Sequence, residues 1–179
     1  MTSPASPTLA IVGGGPAGLM AAETARMAGI EVDLFDAMGS VGRKFLIAGK
    51  GGLNLTHAEP LEDFLSRFRE RRKWVEPWLH AFGPTQLREW ARGLGVETMV
   101  GTSDRVFPAD LKAAPLLRGW VRRLREQGVR FHVQHRWQGW TADGDLRFIT
   151  PRGEITIKPQ ATVFALGGAS WPELGADGA

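Results

Sequence analysis

The sequence has 179 residues, 43% of them hydrophobic, which is enough for one domain with a packed core. Its 22 basic and 19 acidic residues leave a net charge of only +3, so no nucleic-acid partner is expected. Cysteine is absent, which excludes disulfides, thiolate metal sites and a redox-active dithiol. The first apolar run lacks preceding positive charge and is broken by glycines. We therefore expect neither a signal peptide nor a membrane span, and a cytoplasmic protein.

Residues 9–36 are predicted to form a strand, a helix and a second strand. Leu9–Val12 is a short apolar run, typical of a strand buried on both faces of a parallel sheet. The helix is predicted to begin near Pro16, where a first-turn proline loses no hydrogen bond, and to end by Gly29. Its apolar stripe consists of Leu19, Ala22 and Ala25. Ile30–Phe35 is predicted to be the second strand, with Asp36 at its end.

The turn between the first strand and the helix has the spacing of a dinucleotide-binding fingerprint. Gly13 is predicted to make the tight turn, Gly15 to leave room for a pyrophosphate, and Gly18 to allow close packing of helix and strand. Pro16 and Ala17 open the helix, whose unpaired N–H groups and dipole favour an anion. Asp36 lies 18 positions after Gly18, near the spacing of the acid that binds a ribose hydroxyl. Glycines also mark ordinary turns, but the predicted strand and helix around these ones favour the binding interpretation.

The last third of the sequence favours FAD over NAD. A helix over 111–127 and a strand over Val129–Val133 precede three short β segments separated by turn sequences. The segments are 136–141, 146–150 and 154–158. Residues 161–166 are predicted to return as a buried strand that breaks at Gly167. A three-stranded antiparallel meander used as a crossover is typical of glutathione-reductase-like FAD domains, whereas nicotinamide dehydrogenases more often cross over by a helix.

Four segments together resemble a known family. They are the glycine turn 13–18, the run 42–56, Arg105–Pro108 and the run 165–172. They are similar to bacterial NAD(P)/FAD-dependent flavoproteins with aminoacetone-oxidase-like and bile-acid-reductase-like members. The resemblance implies a Rossmann-like α/β fold, bound FAD and oxidoreductase activity, with NAD(P)H as a candidate electron donor. Where many relatives have arginine and cysteine, this sequence has Gly52 and Leu53, so no substrate is carried over from them.

The resemblance also implies further cofactor contacts. The second glycine loop, with Gly49, Gly51 and Asn54, is expected to approach the flavin half, because glycine lets a chain lie close to a flat ligand. A mobile surface loop is the alternative. Val133 is expected to meet the adenine edge through its backbone, although strand packing alone would also explain it. Arg43 is expected to pair with a phosphate oxygen, and Lys50 to place positive charge near the pyrophosphate or the reduced flavin, with solvated side chains as the alternative. The remaining expected cofactor contacts are Lys44, Ala165 and Gly167.

Two other patterns receive structural interpretations. The basic stretch Arg67–Lys73 is interpreted as the solvated face of an amphipathic helix with Leu61, Phe64, Leu65 and Phe68 on its apolar side. The four histidines lack metal-ligand spacing, so no metal is predicted. His132 and His135 are expected on one strand, facing opposite sides.

These features divide the sequence into an FAD-binding βαβ unit with the second glycine loop (1–59), a helical and hairpin insertion (60–108) and the continuation of the FAD domain (109–179). We expect it to be the N-terminal part of a longer flavoprotein that acts on a small organic substrate. A nicotinamide dehydrogenase domain and a noncatalytic nucleotide-binding remnant are the alternatives. The sequence assigns no catalytic residue and no oligomeric state.

Overall fold

The structure is a computed structural model that describes residues 9–48, 51–168 and 173. The chain divides into two compact units. The first comprises Met1–Phe45 and Val121–Ala179, and the second Leu46–Trp120.

The first unit is built on a parallel sheet with the strand order β10-β1-β2-β6. These strands are β1 (Leu9–Val12), β2 (Val32–Asp36), β6 (Arg130–Val133) and β10 (Ala161–Phe164). Helix α1 (Pro16–Met27) joins β1 to β2, and α2 (Arg43–Ala48) follows β2. The antiparallel meander consists of β7 (Arg136–Trp140), β8 (Leu146–Thr150) and β9 (Gly153–Ile157), and lies in sequence between β6 and β10. The predicted Rossmann-like α/β fold with a meander crossover is confirmed.

Strands β1 and β2 are at the centre of this unit, and seven of their nine side chains are apolar. The meander packs on one face of the sheet, where Phe35 stacks on Phe148 with ring centroids 4.6 Å apart. The buried cluster on this face contains Ala10, Val12, Phe35, Leu146 and Phe148. Since side chains alternate along a strand, Ile11 and Leu34, which are also fully buried, lie on the opposite face. This two-sided burial fixes the position of the loops that follow β1 and β2.

Strand β10 differs from the prediction. It was expected to be a buried strand, but it is an edge strand of the described sheet and its residues are exposed or half-buried. Phe164 is 41% exposed. An apolar run cannot by itself distinguish a central strand from an edge strand, because that depends on which neighbour pairs with it.

The second unit combines helices with a small antiparallel sheet of order β3-β5-β4. The strands are β3 (Thr56–His57), β4 (Thr98–Val100) and β5 (Arg105–Pro108). The helices are α3 (Leu61–Ser66), α4 (Arg72–Ala81), α5 (Pro84–Gly93) and α6 (Ala113–Glu126), of which α6 continues into the first unit. Within this unit Trp90 packs edge-to-face on Trp120 at 4.7 Å, and α5 contacts β3 and β4. The unit includes β3, which pairs with β5.

The basic stretch Arg67–Lys73 does not lie on a single amphipathic helix. Helix α3 ends at Ser66, a short 3-10 turn covers Arg69–Arg71, and α4 starts at Arg72. Arg69 has a φ of +47°, a conformation that ends a right-handed helix. Leu65 is buried and Phe64 packs edge-to-face on Phe68, so the apolar pattern reports a real contact across the break.

The expected opposite orientation of His132 and His135 is wrong. Strand β6 ends at Val133, and Gln134 has a φ of +56°, which reverses the direction of the following residue. The two imidazole rings lie 5.5 Å apart and both pack on Phe35. The alternation rule fails here because it holds only while the backbone stays extended.

No helix in the described parts of the chain is both long enough and apolar enough to cross a bilayer.

Candidate functional site

The first unit contains a surface cavity of about 170 Å³ at the carboxyl ends of its parallel strands. This is the edge of an open α/β sheet where ligands generally bind. Nine of the residues predicted from sequence line it: Gly13, Gly15, Pro16, Ala17, Asp36, Arg43, Lys44, Ala165 and Gly167.

The glycines of the first turn are required for different reasons. Gly13 has a φ of +108°, and a Cβ there would collide with the carbonyl oxygen of Ala165. A Cβ at Gly18 would collide with the carbonyl oxygen of Gly13. Both glycines thus allow β1, α1 and β10 to pack closely.

Gly15 is different, because nothing in the described chain requires glycine there. Its φ is −77°, which any residue adopts, and a Cβ would meet no atom within 4 Å. It is the N-cap of α1, where serine or aspartate would bind the helix N–H groups better. Because Gly15 lines the cavity and has no side chain, a ligand could approach its backbone closely on the side that faces open space.

The N-terminus of α1 adds positive potential to this cavity. The helix begins with Pro16 at its first position, has no side-chain cap and has no acidic residue in its first turn. Its first intrahelical bond runs from the N–H of Leu19 to the carbonyl of Gly15 at 2.9 Å. The uncapped N–H groups of a 12-residue helix attract an anion.

Asp36 forms the opposite wall and fixes the turn. Its Oδ2 accepts a hydrogen bond from the N–H of Gly14 at 2.7 Å, and its Oδ1 accepts one from the N–H of Met38 at 2.8 Å. Burial raises the pKa of Asp36, although these two bonds and the nearby Arg43 charge oppose the shift. Each carboxylate oxygen keeps acceptor capacity for a ligand hydroxyl.

Two cations enter the cavity from α2. The Nε of Arg43 is buried and has no hydrogen-bond partner among the described residues. An unsatisfied buried donor destabilises a fold by about 1–3 kcal/mol, so such a group is expected to bind a ligand or water. Lys44 lies near Gly167, with its Nζ 3.7 Å from the position that a Cβ on that glycine would take.

The other predicted residues lie outside this cavity. Gly18 is buried in the packing of α1. Val133 ends β6 beside Asp36, and its carbonyl lies 2.7 Å from Nδ1 of His135. Gly51 and Asn54 are exposed residues of the second unit. Gly49 and Lys50 lie outside the described residues.

Sequence reasoning missed the segment after β2. Met38, Ser40 and Gly42 also line the cavity. Gly42 has a φ of +70°, and its N–H donates to the carbonyl of Gly14 at 2.8 Å, which joins this segment to the first turn. The available signal was the pair of glycines, Gly39 and Gly42, shortly after the acid.

The described residues contain no group of three or more His, Cys, Asp or Glu side chains that could hold a metal ion.

Comparison with known proteins identifies the type of fold. The family model described as "HI0933-like protein Rossmann domain" matches residues 7–179. Among solved structures, the chain is similar to a 3-ketosteroid-Δ4-(5α)-dehydrogenase from Rhodococcus jostii RHA1, with a TM-score of 0.63 and 16% identity over 90% of this chain and 46% of that one. It is also similar to THI4 from Thermovibrio ammonificans, with a TM-score of 0.61 and 17% identity over 91% and 57% of the two chains.

A third similar structure is the open conformation of a flavocytochrome c3 fumarate reductase. Its TM-score is 0.62 and its identity 19%, over 93% of this chain and 34% of that one. At these identities the likeness concerns the fold. The chain spans between about a third and three fifths of the length of these three proteins.

Proposed function

Since this chain belongs to the HI0933-like family of Rossmann domains, we propose that its glycine-lined cavity binds the ADP half of FAD. The proposal rests on two features of this cavity. The backbone of Gly15 faces open space, and the buried Nε of Arg43 has no hydrogen-bond partner among the described residues. A pyrophosphate explains both features, because it needs room beside the backbone and accepts hydrogen bonds from cations.

The described side chains fit the parts of an ADP group. The pyrophosphate lies at the uncapped N-terminus of α1, with Arg43 and Lys44 as counter-charges. The ribose hydroxyls bind the carboxylate of Asp36, which would repel a 2′-phosphate. Val133 is proposed to contact the adenine edge through its backbone, since it lies beside Asp36 in the sheet register.

FAD is preferred to NAD for two reasons. The chain crosses from β6 to β10 through the antiparallel meander, as in the flavoproteins that its motifs resemble. One protein of similar fold is a flavocytochrome by name. We propose that the flavin half is approached by the second glycine loop with Gly51 and Asn54, and that FAD supplies hydride and electron transfer.

The whole protein is proposed to be an oxidoreductase. The similar structures include a dehydrogenase, a fumarate reductase and an aromatic hydroxylase by their names, all of which carry out redox reactions. The proposed reaction moves a hydride or electrons between a small organic substrate and either NAD(P)H or oxygen. The substrate itself is not assigned.

Binding is tested by titrating the chain with FAD and following flavin fluorescence, in wild type and in Arg43→Met. A charge-assisted hydrogen bond contributes about 1.5–3 kcal/mol, so we expect the variant to bind FAD roughly tenfold or more weakly. The matched control is Arg152→Met, an exposed arginine in the turn between β8 and β9. Equal affinity in Arg43→Met and wild type, or tighter binding of NAD than of FAD, would contradict the proposal.

A further inference from the structure

Helix α4 of the second unit carries an apolar stripe that faces solvent. Trp74, Pro77, Trp78 and Ala81 are all exposed and occupy positions i, i+3, i+4 and i+7 of the helix. Residues at this spacing lie on one side of a helix, so the four side chains form one continuous surface, the α4 stripe. Phe82, which directly follows α4, is a further exposed aromatic residue at its carboxyl end.

The opposite side of α4 packs on the rest of the unit. Val75 and Leu79 are half-buried there, and α4 contacts α3 and the 3-10 turn. The fold therefore uses Val75 and Leu79, whereas Trp74 and Trp78 stay 60% and 69% exposed. Single exposed apolar residues are common on protein surfaces, but a contiguous exposed patch marks an interaction site.

Helix α5 of the same unit shows the usual arrangement. Its apolar residues Leu87, Trp90 and Ala91 are buried or half-buried, and Trp90 packs edge-to-face on Trp120. Its exposed side chains are polar: Thr85, Gln86, Glu89 and Arg92. The outward apolar side therefore distinguishes α4 from the helix that follows it.

Unpaired cations border the α4 stripe. Arg71 directly precedes α4, and Lys73 lies in its first turn, with Nζ 5.3 Å from the centre of the Trp74 ring. Arg69 lies in the 3-10 turn just before them. All three cations are exposed, and none has an ion-pair partner among the described residues.

The surroundings leave this end of α4 with an excess of positive charge. Glu70 is the one exposed acid between positions 67 and 82, all of which the structure describes. The neighbouring arginines are neutralised, because Arg67 pairs with Glu59 and Arg72 with Glu62, each at 2.7 Å. Unpaired positive charge and exposed aromatic surface thus lie side by side.

We propose that the α4 stripe and its three cations dock the second unit on an anionic lipid surface. Indole rings favour the headgroup region of a bilayer, because they are apolar and carry one N–H donor. A basic helix with an aromatic face lies in the plane of the interface, where its cations meet the anionic headgroups.

Charge and shape favour this occupant over two others. A second copy of the chain would bring like charges together across the interface. A nucleic acid would attract the cations, but its bases stack on aromatic rings, which leaves Pro77 and Ala81 without a contact. The proposal does not depend on the cofactor.

The test measures binding of the intact chain to vesicles by sedimentation. We expect binding to vesicles that contain phosphatidylglycerol and none to vesicles of phosphatidylcholine alone. Combining Trp74→Ala with Trp78→Ala should weaken binding roughly tenfold or more, because the apolar area that enters the interface is lost. The matched control, Trp140→Ala, removes a 54% exposed tryptophan of the first unit and should leave binding unchanged. Equal loss in both variants, or no binding by wild type, would overturn the proposal.

The role of the cations is tested in Arg71→Gln and Lys73→Gln. Each cation near an anionic surface should raise the affinity about fivefold. Arg152→Gln, which removes an exposed arginine between β8 and β9, should have no effect. Binding that neither of the first two substitutions weakens would contradict the proposal.

A dye label reports which surface meets the bilayer. Because the chain has no cysteine, Trp78→Cys provides a single site for a polarity-sensitive dye, with Trp140→Cys as the control. Phosphatidylglycerol vesicles should shift the emission to the blue at position 78 only. A shift that instead requires a higher protein concentration, or an added single-stranded oligonucleotide, would assign the stripe to a second copy or to a nucleic acid and overturn the proposal. No readout needs bound FAD, so these outcomes are independent of the FAD titration.

Discussion

The two glycine-rich segments of this chain are similar in sequence and different in structure. In the first turn, Gly13 and Gly18 are each in contact with backbone that excludes a Cβ, and Gly15 faces an open cavity. In the second loop, a Cβ added at Gly51 would meet no atom within 4 Å, and a Cβ added at Gly52, which has a φ of +104°, would lie 3.6 Å from the ring of Phe107. The first segment therefore has two glycines at which backbone atoms exclude a Cβ, whereas no neighbouring atom excludes a Cβ at Gly51 or Gly52, the described glycines of the second loop.

This difference distinguishes two roles of glycine that the sequence pattern does not distinguish. A glycine that packing requires is needed for the fold, whereas a glycine that packing does not require is a candidate for contact with a ligand. By this criterion packing requires glycine at position 18 and does not require it at position 15, where we propose that the cofactor does, although both glycines belong to one motif. The stability of variants at these positions should differ accordingly.

The largest effect is expected for Gly18→Ala. The added Cβ would overlap the carbonyl oxygen of Gly13 and force α1 away from β1. Overpacking of this kind destabilises by about 1–3 kcal/mol, and a rigid backbone neighbour places this variant at the upper end. The free energy of unfolding is measured by urea denaturation.

The control for that variant is Gly51→Ala, which should change the free energy of unfolding by no more than about 0.5 kcal/mol, because its Cβ meets nothing. Equal destabilisation by the two substitutions would remove the distinction between the segments.

A smaller effect concerns the acid that anchors the first turn. Burial raises the pKa of Asp36 above 3.8, so its ionised form is less favourable in the folded chain than in the unfolded one. As pH falls through the folded pKa toward 3.8, protonation should stabilise wild type relative to Asp36→Asn. The comparison is made by urea denaturation at pH values from 7 to 3.

Asp33, which lies on the same strand, should change stability with pH in the opposite direction. Burial would raise its pKa, but hydrogen bonds from His132 and Arg130 outweigh burial and lower the pKa of Asp33 below 3.8. Its contribution to stability should be complete above pH 3.8 and be lost as pH falls through the folded pKa. If the free energies of unfolding of Asp33→Asn and Asp36→Asn, each relative to wild type, changed with pH in the same direction, the opposite pKa shifts of the two carboxylates would be contradicted.

The sequence predicts the first unit well because its signals are local. The apolar strand, the first-turn proline and the acid after β2 each depend on nearby residues, and β1, α1 and β2 form where they were expected. The meander is likewise marked by its turns. The edge position of β10 and the contact between His132 and His135 depend on pairing across the sheet and on the φ of Gln134, which no periodicity reports.

The same limit applies to the site. Arg43 could be proposed from its charge, but its unsatisfied Nε is visible only once α2 is placed beside the glycine turn.

The central claim is that Gly15 is kept small for the cofactor and not for the fold. The most direct measurement compares FAD affinity and the free energy of unfolding in Gly15→Val. The branched side chain would occupy the pyrophosphate path, so affinity should fall at least tenfold, while the free energy of unfolding changes by no more than about 1 kcal/mol. Undiminished FAD affinity in that variant, or an affinity loss matched by loss of the fold, would contradict the account.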